Sequence, residues 1–397
     1  MPERPRALTF SSRLPPIIEA NELSAAIGAA RAGGVDFVDL TESNPTSVGL
    51  PCPEHILEPL ADVRAQRYRP EPFGLWTARE AVASEASRRG AAIHPSQVVL
   101  TASTSEAYSW LFKLLCEPGD AVLVPRPSYP LFEHLTRLEC VRTATYDLEY
   151  HGRWAIDFET VAAAPPETRA ILVVSPNNPT GSYLTPAELQ RLLALCRERG
   201  WALIADEVFV DYPLDVRNPL TDLATHADVL TFTLGGLSKS IGMPQLKLGW
   251  IVAGGESSVR DAALARLEFV ADTYLSVGTP VQVALPSLLT AGTQIRAAVQ
   301  QRVRHNLELV RSAVVRHPSC ELLNAEGGWS AVIRVPAIRS EDRLVLELFD
   351  RERILVHPGY FFDFVHEAYV VVSLLPRENV FAGAIERTLT FAATAAR

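Results

Sequence analysis

The chain has 397 residues, 48% of them hydrophobic and 21% charged, with a formal net charge of −9. That length buries a sizeable core in one or two domains, and the negative balance argues against nucleic acid or an anionic membrane surface as the main partner. Five scattered cysteines (Cys52, Cys116, Cys140, Cys196, Cys320) without a CxxC pair argue against a disulfide framework or a zinc site, so no metal is expected. No run of about 18 apolar residues occurs, and the start, "MPERPRALTF", lacks a signal-peptide pattern, so a cytoplasmic protein without a membrane span is expected.

In chain order, helical patterns cover 21–33 and 74–89, stopped by Gly33-Gly34 and Gly90. Then come apolar runs: "VVL" (98–100), "AVLV" (121–124), "AILVV" (170–174), "WALIA" (201–205), "VLTFTL" (229–234) and "GWIVA" (249–253). They read as buried strands, with helices expected over 104–116, 129–138 and 185–199. The last opens on Thr185-Pro186-Ala187-Glu188, a capping box with proline at the first helical position, and ends at Gly200. This alternation predicts an α/β fold whose mainly parallel sheet is covered by helices on both faces. From about 281 to 316 the pattern is one long helix or two. "AVIRV" (331–335), a helix near 340–353, "ILV" (354–356), "YVVVS" (369–373) and a final helix then predict a smaller α+β domain. The expected division is an N-terminal arm and part of the small domain at 1–47, a large domain at 48–285 and a small C-terminal domain at 286–397.

Ligands of open parallel sheets sit beyond the carboxyl ends of the strands, so the residues that follow each strand carry the functional signal. Hydroxyls in "TASTSEA" (101–107) precede a helix whose N-terminus suits a phosphate, or simply cap it. Tyr129, in the proline-stiffened "PRPSYP" (125–130), is a flat wall for a ring or a core-edge tyrosine. Asn177 and Asn178 offer amide donors from a turn. Asp206 directly follows a buried strand and is either a solvated end or a carboxylate facing a cation. Lys239 follows "LGGLS" and could be a surface lysine, or a buried amine able to condense with a carbonyl. Taken together, a phosphate seat, a ring wall, an amide, a carboxylate and a lysine in this order suit a phosphorylated pyridine aldehyde.

From about residue 40 to the C-terminus the chain resembles the class I/II aminotransferases of the fold-type I pyridoxal-phosphate enzymes, through "SPNNPTG" (175–181), "ADEVF" (205–209) and "GLSKS" (236–240), with "TASTSEA" and "FGLWTAREAV" (73–82) in support. The resemblance implies pyridoxal 5′-phosphate as cofactor, with Lys239 as the Schiff-base lysine and proton carrier. Asp206 would pair with the ring nitrogen, Asn178 would bond the phenolic oxygen, and Tyr129 would stack on the ring. Ser103, Thr104, Ser238 and Lys247 would hold the phosphate. It also implies a homodimer in which Tyr68 reaches the neighbour's phosphate.

Four departures stand against the family pattern. Lys247 replaces an arginine, Gly236 a serine and Phe209 a tyrosine. Val371 stands where an arginine commonly binds the substrate carboxylate, with Arg377, Arg13, Arg126 and groups around Asn44 as candidate substitutes. His357 is expected to be structural or to line the pocket. The implied activity is transamination between a small-molecule amino donor and a keto acceptor. The alternatives are elimination, decarboxylation or oxidative deamination on the same scaffold, or a non-catalytic regulator.

Overall fold

The computed structural model describes residues 9–15, 21–215, 219–226 and 228–394. Its strands are β1 (Val38–Asp39), β2 (Val98–Thr101), β3 (Ala121–Arg126), β4 (Arg142–Tyr150), β5 (Trp154–Ile156), β6 (Thr168–Val174), β7 (Ala202–Asp206), β8 (Thr231–Gly236), β9 (Gly249–Gly254), β10 (Glu321–Leu322), β11 (Ser330–Arg334), β12 (Ile354–Leu355), β13 (His357–Pro358) and β14 (Tyr369–Ser373). The α-helices are α1 (Glu22–Ala32), α2 (Trp76–Arg88), α3 (Thr104–Leu115), α4 (Phe132–Leu138), α5 (Phe158–Ala162), α6 (Pro186–Arg199), α7 (Leu237–Ser240), α8 (Ser257–Tyr274), α9 (Thr279–Arg316), α10 (Glu341–Glu352) and α11 (Glu378–Ala393).

The main sheet has the order β2-β9-β8-β7-β6-β3-β4-β5. From β8 to β4 all neighbours are parallel, while β9 runs antiparallel between β8 and β2 and β5 is an antiparallel edge. Successive residues of a strand point to opposite faces, and both faces are apolar here. Val122, Leu172, Ile204 and Phe232 pack against α3 and α8, whereas Leu123, Ile171, Val173 and Leu203 pack against α5 and α6. That two-sided burial is why the strands read as unbroken apolar runs.

Local signals act as expected in α6. Thr185 Oγ1 accepts from Glu188 N at 3.2 Å, Glu188 Oε2 accepts from Thr185 N at 2.9 Å, and Gly200 closes the helix at φ 70°. The 281–316 pattern is one helix, α9, of 38 residues, which Pro286 near its start does not end. The expected boundary at 285/286 therefore falls inside a continuous helix.

A second, antiparallel sheet has the order β10-β11-β14-β13. The N-terminal segment joins this unit: β1 pairs with β12, and Phe37 meets Phe349 of α10 edge-on at 5.2 Å. Among the described residues, no helix is long and apolar enough to cross a membrane.

Candidate active site

The segments after β2, β3, β6, β7 and β8 converge on one cavity of about 590 Å³, closed on its far side by Trp329, Ser330, Val371 and Ser373 of the smaller sheet. The chain is led into it by short, tightly fastened turns. After β8 the backbone makes the single turn α7, which carries Lys239. Tyr212 donates its hydroxyl to Lys239 O at 2.5 Å, and Arg296 Nε donates to Ser240 O at 2.8 Å. These bonds satisfy carbonyls that a helix end leaves open and hold the Lys239 backbone while its side chain enters the cavity. The two glycines before it make room. A Cβ on Gly235 would come within 2.5 Å of the Trp250 indole, and one on Gly236 within 3.2 Å of Gly249 Cα and Leu248 O. A serine at 236 would therefore need its neighbours to move by a few tenths of an ångström, which gives the glycine there a packing reason.

The Lys239 amine lies 4.9 Å from the centre of the Trp329 ring and 5.5 Å from that of Phe209. Burial among these rings brings its pKa down to about 8, against the pull of the Asp206 charge. Asp206, 8% exposed at the end of β7, is pushed above the usual carboxylate range by burial. Two bonds to the charged form oppose that shift: Tyr108 donates its hydroxyl to Oδ2 at 2.6 Å, and Val208 N donates to Oδ1 at 3.0 Å. Tyr108 is in turn pushed well above its usual range, first by burial and then by Asp206, so it remains a donor.

At the other end Ser103, Thr104 and Ser105 open α3, beside Ser238 and Lys247. Ser103 caps the helix by accepting from Glu106 N at 3.2 Å, which leaves its own proton available. The first amides of α3 have no intrahelical partner, so this end offers hydroxyl and amide donors and one ammonium. Lys247 is exposed and adopts a left-handed conformation at φ 48°, uncommon for a residue with a side chain.

The two asparagines divide their work. Asn177 is buried in structural bonds, its amide donating to Pro127 O at 3.0 Å and Thr180 Oγ1 at 2.9 Å while it accepts from Ser128 Oγ at 3.0 Å. Asn178 faces the cavity and accepts from Ser330 Oγ at 3.3 Å. Gly181, at φ 74°, closes this turn, because a Cβ there would sit 2.6 Å from Gly327 O. Tyr129 lines the cavity with its ring edge-on to Phe132.

Not every residue singled out in the sequence arrives here. Tyr68 is 72% exposed and does not line the cavity of its own chain. Asn44 turns its side chain to its own loop, accepting from Thr46 N and Oγ1 at 3.0 and 2.8 Å; Thr41 and Ser43 line the cavity instead. Arg377 precedes α11, exposed and packed over Gly49. Arg126 donates through Nε and Nη2 to the two carboxylate oxygens of Asp147, and Arg13 donates to Leu138 O. Among the described residues no arginine lines the cavity. Conversely, Tyr108, Trp329 and Ser330 belong to the site without having been read from the sequence. Only Tyr108 carried a signal: it lies four residues after Thr104, on the same helix face.

Residues 35–380 match the sequence profile of the family described as aminotransferase class I and II. The chain belongs to that family. Its members use pyridoxal 5′-phosphate, and the chain is a pyridoxal-phosphate-dependent aminotransferase of fold type I. It is similar to the glutamate-pyruvate aminotransferase of Haemophilus influenzae, at 24% identity over 369 residues, covering 90% of this chain and 91% of that one. It is also similar to the S-alkyl-thiohydroximate lyase of Arabidopsis thaliana, at 29% identity over 243 residues, covering 60% of this chain and 52% of that one. Among solved structures, the alanine aminotransferase of Pyrococcus furiosus superposes with a TM-score of 0.85 at 22% identity, covering 94% of this chain and 96% of that one.

Proposed function

We propose that Lys239 and Asp206 are the reacting pair of this aminotransferase, which moves an amino group from an amino acid or amine to a keto acid or aldehyde. The observation that carries the reading is their convergence on one cavity, a lowered-pKa amine facing a buried carboxylate that is fastened by other donors. The donor set suits pyridoxal phosphate at both ends, with hydroxyls, helix amides and Lys247 at one and Asp206 at the other. Ser103, Thr104, Ser238 and Lys247 would hold the phosphate, Asn178 the phenolic oxygen, Tyr129 one ring face and Asp206 the ring nitrogen. When bound, the cofactor supplies an aldehyde that takes up the amino group and a cationic ring that draws electrons from the breaking bond.

The chain's own groups do the rest. With a pKa of about 8, Lys239 is neutral in about a tenth of molecules at pH 7 and about half at pH 8. A neutral amine can take a proton from the substrate carbon and return it to the carbon on the other side of the nitrogen. Asp206 keeps a negative charge where a ring proton must stay, and Tyr108 keeps Asp206 charged. Phe209 and Trp329 form an apolar wall beside the Lys239 amine, and Tyr212 packs edge-on behind Trp329.

We also propose a cytoplasmic homodimer acting on small molecules, with neither nucleic acid nor a membrane as partner. Tyr68 supports the dimer, since it stands exposed beyond its own cavity, as a residue reaching into a neighbour's site must. Light scattering gives the assembly directly.

The test is reconstitution with pyridoxal phosphate followed by a panel of amino acids and amines. A shift of the cofactor absorbance with release of a carbonyl product supports transamination, and Lys239→Ala should slow it by about a thousandfold or more. A second reading, elimination, draws on the lyase similarity; release of ammonia with an unsaturated or sulfur-bearing fragment would favour it.

A further inference from the structure

The cavity wall facing Lys239 has a distinct chemistry. Val371, 1% exposed, presents an aliphatic side chain from the middle of β14. Next to it, His357 stacks on Phe361 with ring centres 4.5 Å apart and meets Phe362 edge-on at 5.5 Å. Burial brings the His357 pKa down to about 4, so the imidazole is neutral near pH 7. Two of the nearby hydroxyls are committed, while Ser373 Oγ accepts from Leu375 N at 3.2 Å and brings a neutral donor but no counter-charge. Thr41 Oγ1 donates its proton to Asp39 Oδ1 at 2.6 Å, and Ser330 Oγ donates to Asn178 Oδ1 at 3.3 Å. Both turn lone pairs, not protons, toward other partners. The Asp39 carboxylate adds negative charge behind Thr41.

Among the described residues, the cations that line the cavity are Lys239, at the reacting centre, and Lys247, at the opposite end. An ionised carboxylate against this wall would leave water for aliphatic carbon, aromatic faces and at most neutral donors, a strongly unfavourable transfer without a counter-charge.

We propose that the substrate is an apolar primary amine without an anionic group, carrying no carboxylate on the carbon that bears the amino group. This rests on the aminotransferase reading above. In the donor half-reaction the amine's C–N bond breaks, the nitrogen stays on the cofactor, and the oxygen of one water becomes the carbonyl oxygen of the released aldehyde. The reverse half-reaction meets the same wall, so the acceptor is an aldehyde or ketone likewise without an anionic group. An aryl or branched alkyl group of the substrate fits against Phe361, Phe362 and Val371.

The test compares matched pairs on the cofactor-loaded protein: phenethylamine with phenylalanine, and 3-methylbutylamine with leucine, following the cofactor absorbance. The amine of each pair should show the higher kcat/KM by about tenfold or more; a higher value for the amino acids overturns the proposal. Calorimetry with two unreactive analogues, 3-phenylpropionamide and 3-phenylpropionate, reads the wall without turnover. Tighter binding of the amide supports the proposal, and tighter binding of the acid, or no binding of either, overturns it. If no donor changes the absorbance, the aminotransferase reading fails and the calorimetry still decides the charge preference. Val371→Arg supplies the missing charge and should move preference toward the amino acid of each pair by about tenfold or more; an unchanged ratio in a folded variant counts against the proposal. Should that variant not fold, the native comparison and the calorimetry decide.

Discussion

Replacing Lys239 by methionine should stabilise the cofactor-free protein while abolishing its chemistry. In the fold the amine sits between the Trp329 and Phe209 rings, and its pKa falls from an ordinary 10.5 to about 8. At about 1.4 kcal/mol per pH unit, the folded state carries a penalty of up to about 3 kcal/mol for keeping the ammonium. Methionine has a similar length, no charge and a favourable contact with aromatic rings. The sign follows from proton counts. Below pH 8 both folded and unfolded chains hold the proton, so the penalty is fully present. Between about 8 and 10.5 the unfolded chain holds more protons than the folded one, so native stability rises with pH. The gain from Lys239→Met should therefore be about 1–3 kcal/mol at pH 7 and fade as the pH approaches 10.5. Urea unfolding of both apo-proteins at pH 7 and at pH 9.5 measures it. A variant less stable than the native protein at pH 7, or a gain that does not shrink with pH, would refute the placement of this amine in an apolar, unpaired setting.

Tyr108→Phe removes the buried bond to Asp206, a loss of about 1.5–3 kcal/mol for the charged carboxylate. Asp206 should then protonate more readily, and the acid limb of the activity profile should move to higher pH, which a pH–rate series checks. Lys247→Ala should weaken cofactor retention by about fivefold at low ionic strength and by less in high salt, since the side chain is exposed and screened; dissociation followed by absorbance at two salt concentrations distinguishes this from misfolding. Thr185→Ala breaks the capping box of α6 and should cost about 1 kcal/mol in urea unfolding with activity unchanged, as the helix stands away from the cavity.

The fold was legible where one physical signal dominated. The inner strands bury both faces, so their apolar runs stand out, and α6 is delimited by its own caps. β4 was missed because it is only partly covered: Tyr146 and Leu148 face the core, while Arg142 and Glu149 are exposed. α8 was missed because its polar residues interrupt the stripe formed by Ala263, Leu264, Leu267 and Ala271. In the site, the residues on strand ends were readable because the chain order of the strands orders the chemistry. Trp329 and Ser330 were not, since they enter from the second sheet, and nothing local in the sequence shows which face of that sheet meets the first. Asn44 shows the converse. Its type suggested a ligand, but an asparagine two residues before a threonine bonds its own backbone more readily than a distant group.

The departures at 209 and 371 act on the same quantity, the local charge around Lys239. A tyrosine at 209 or an arginine at 371 would add a polar or charged neighbour to that wall. Phenylalanine and valine keep it apolar, which lowers the amine's pKa by desolvation and at the same time removes any counter-ion for a substrate carboxylate. Asp206 pulls the amine's pKa upward, but burial among the rings outweighs that pull. A site that lowers its lysine's pKa by excluding polar groups therefore also selects against substrates with a carboxylate. One property follows from the other, and a variant that restores a cation at 371 should change both the amine's titration and the substrate preference together.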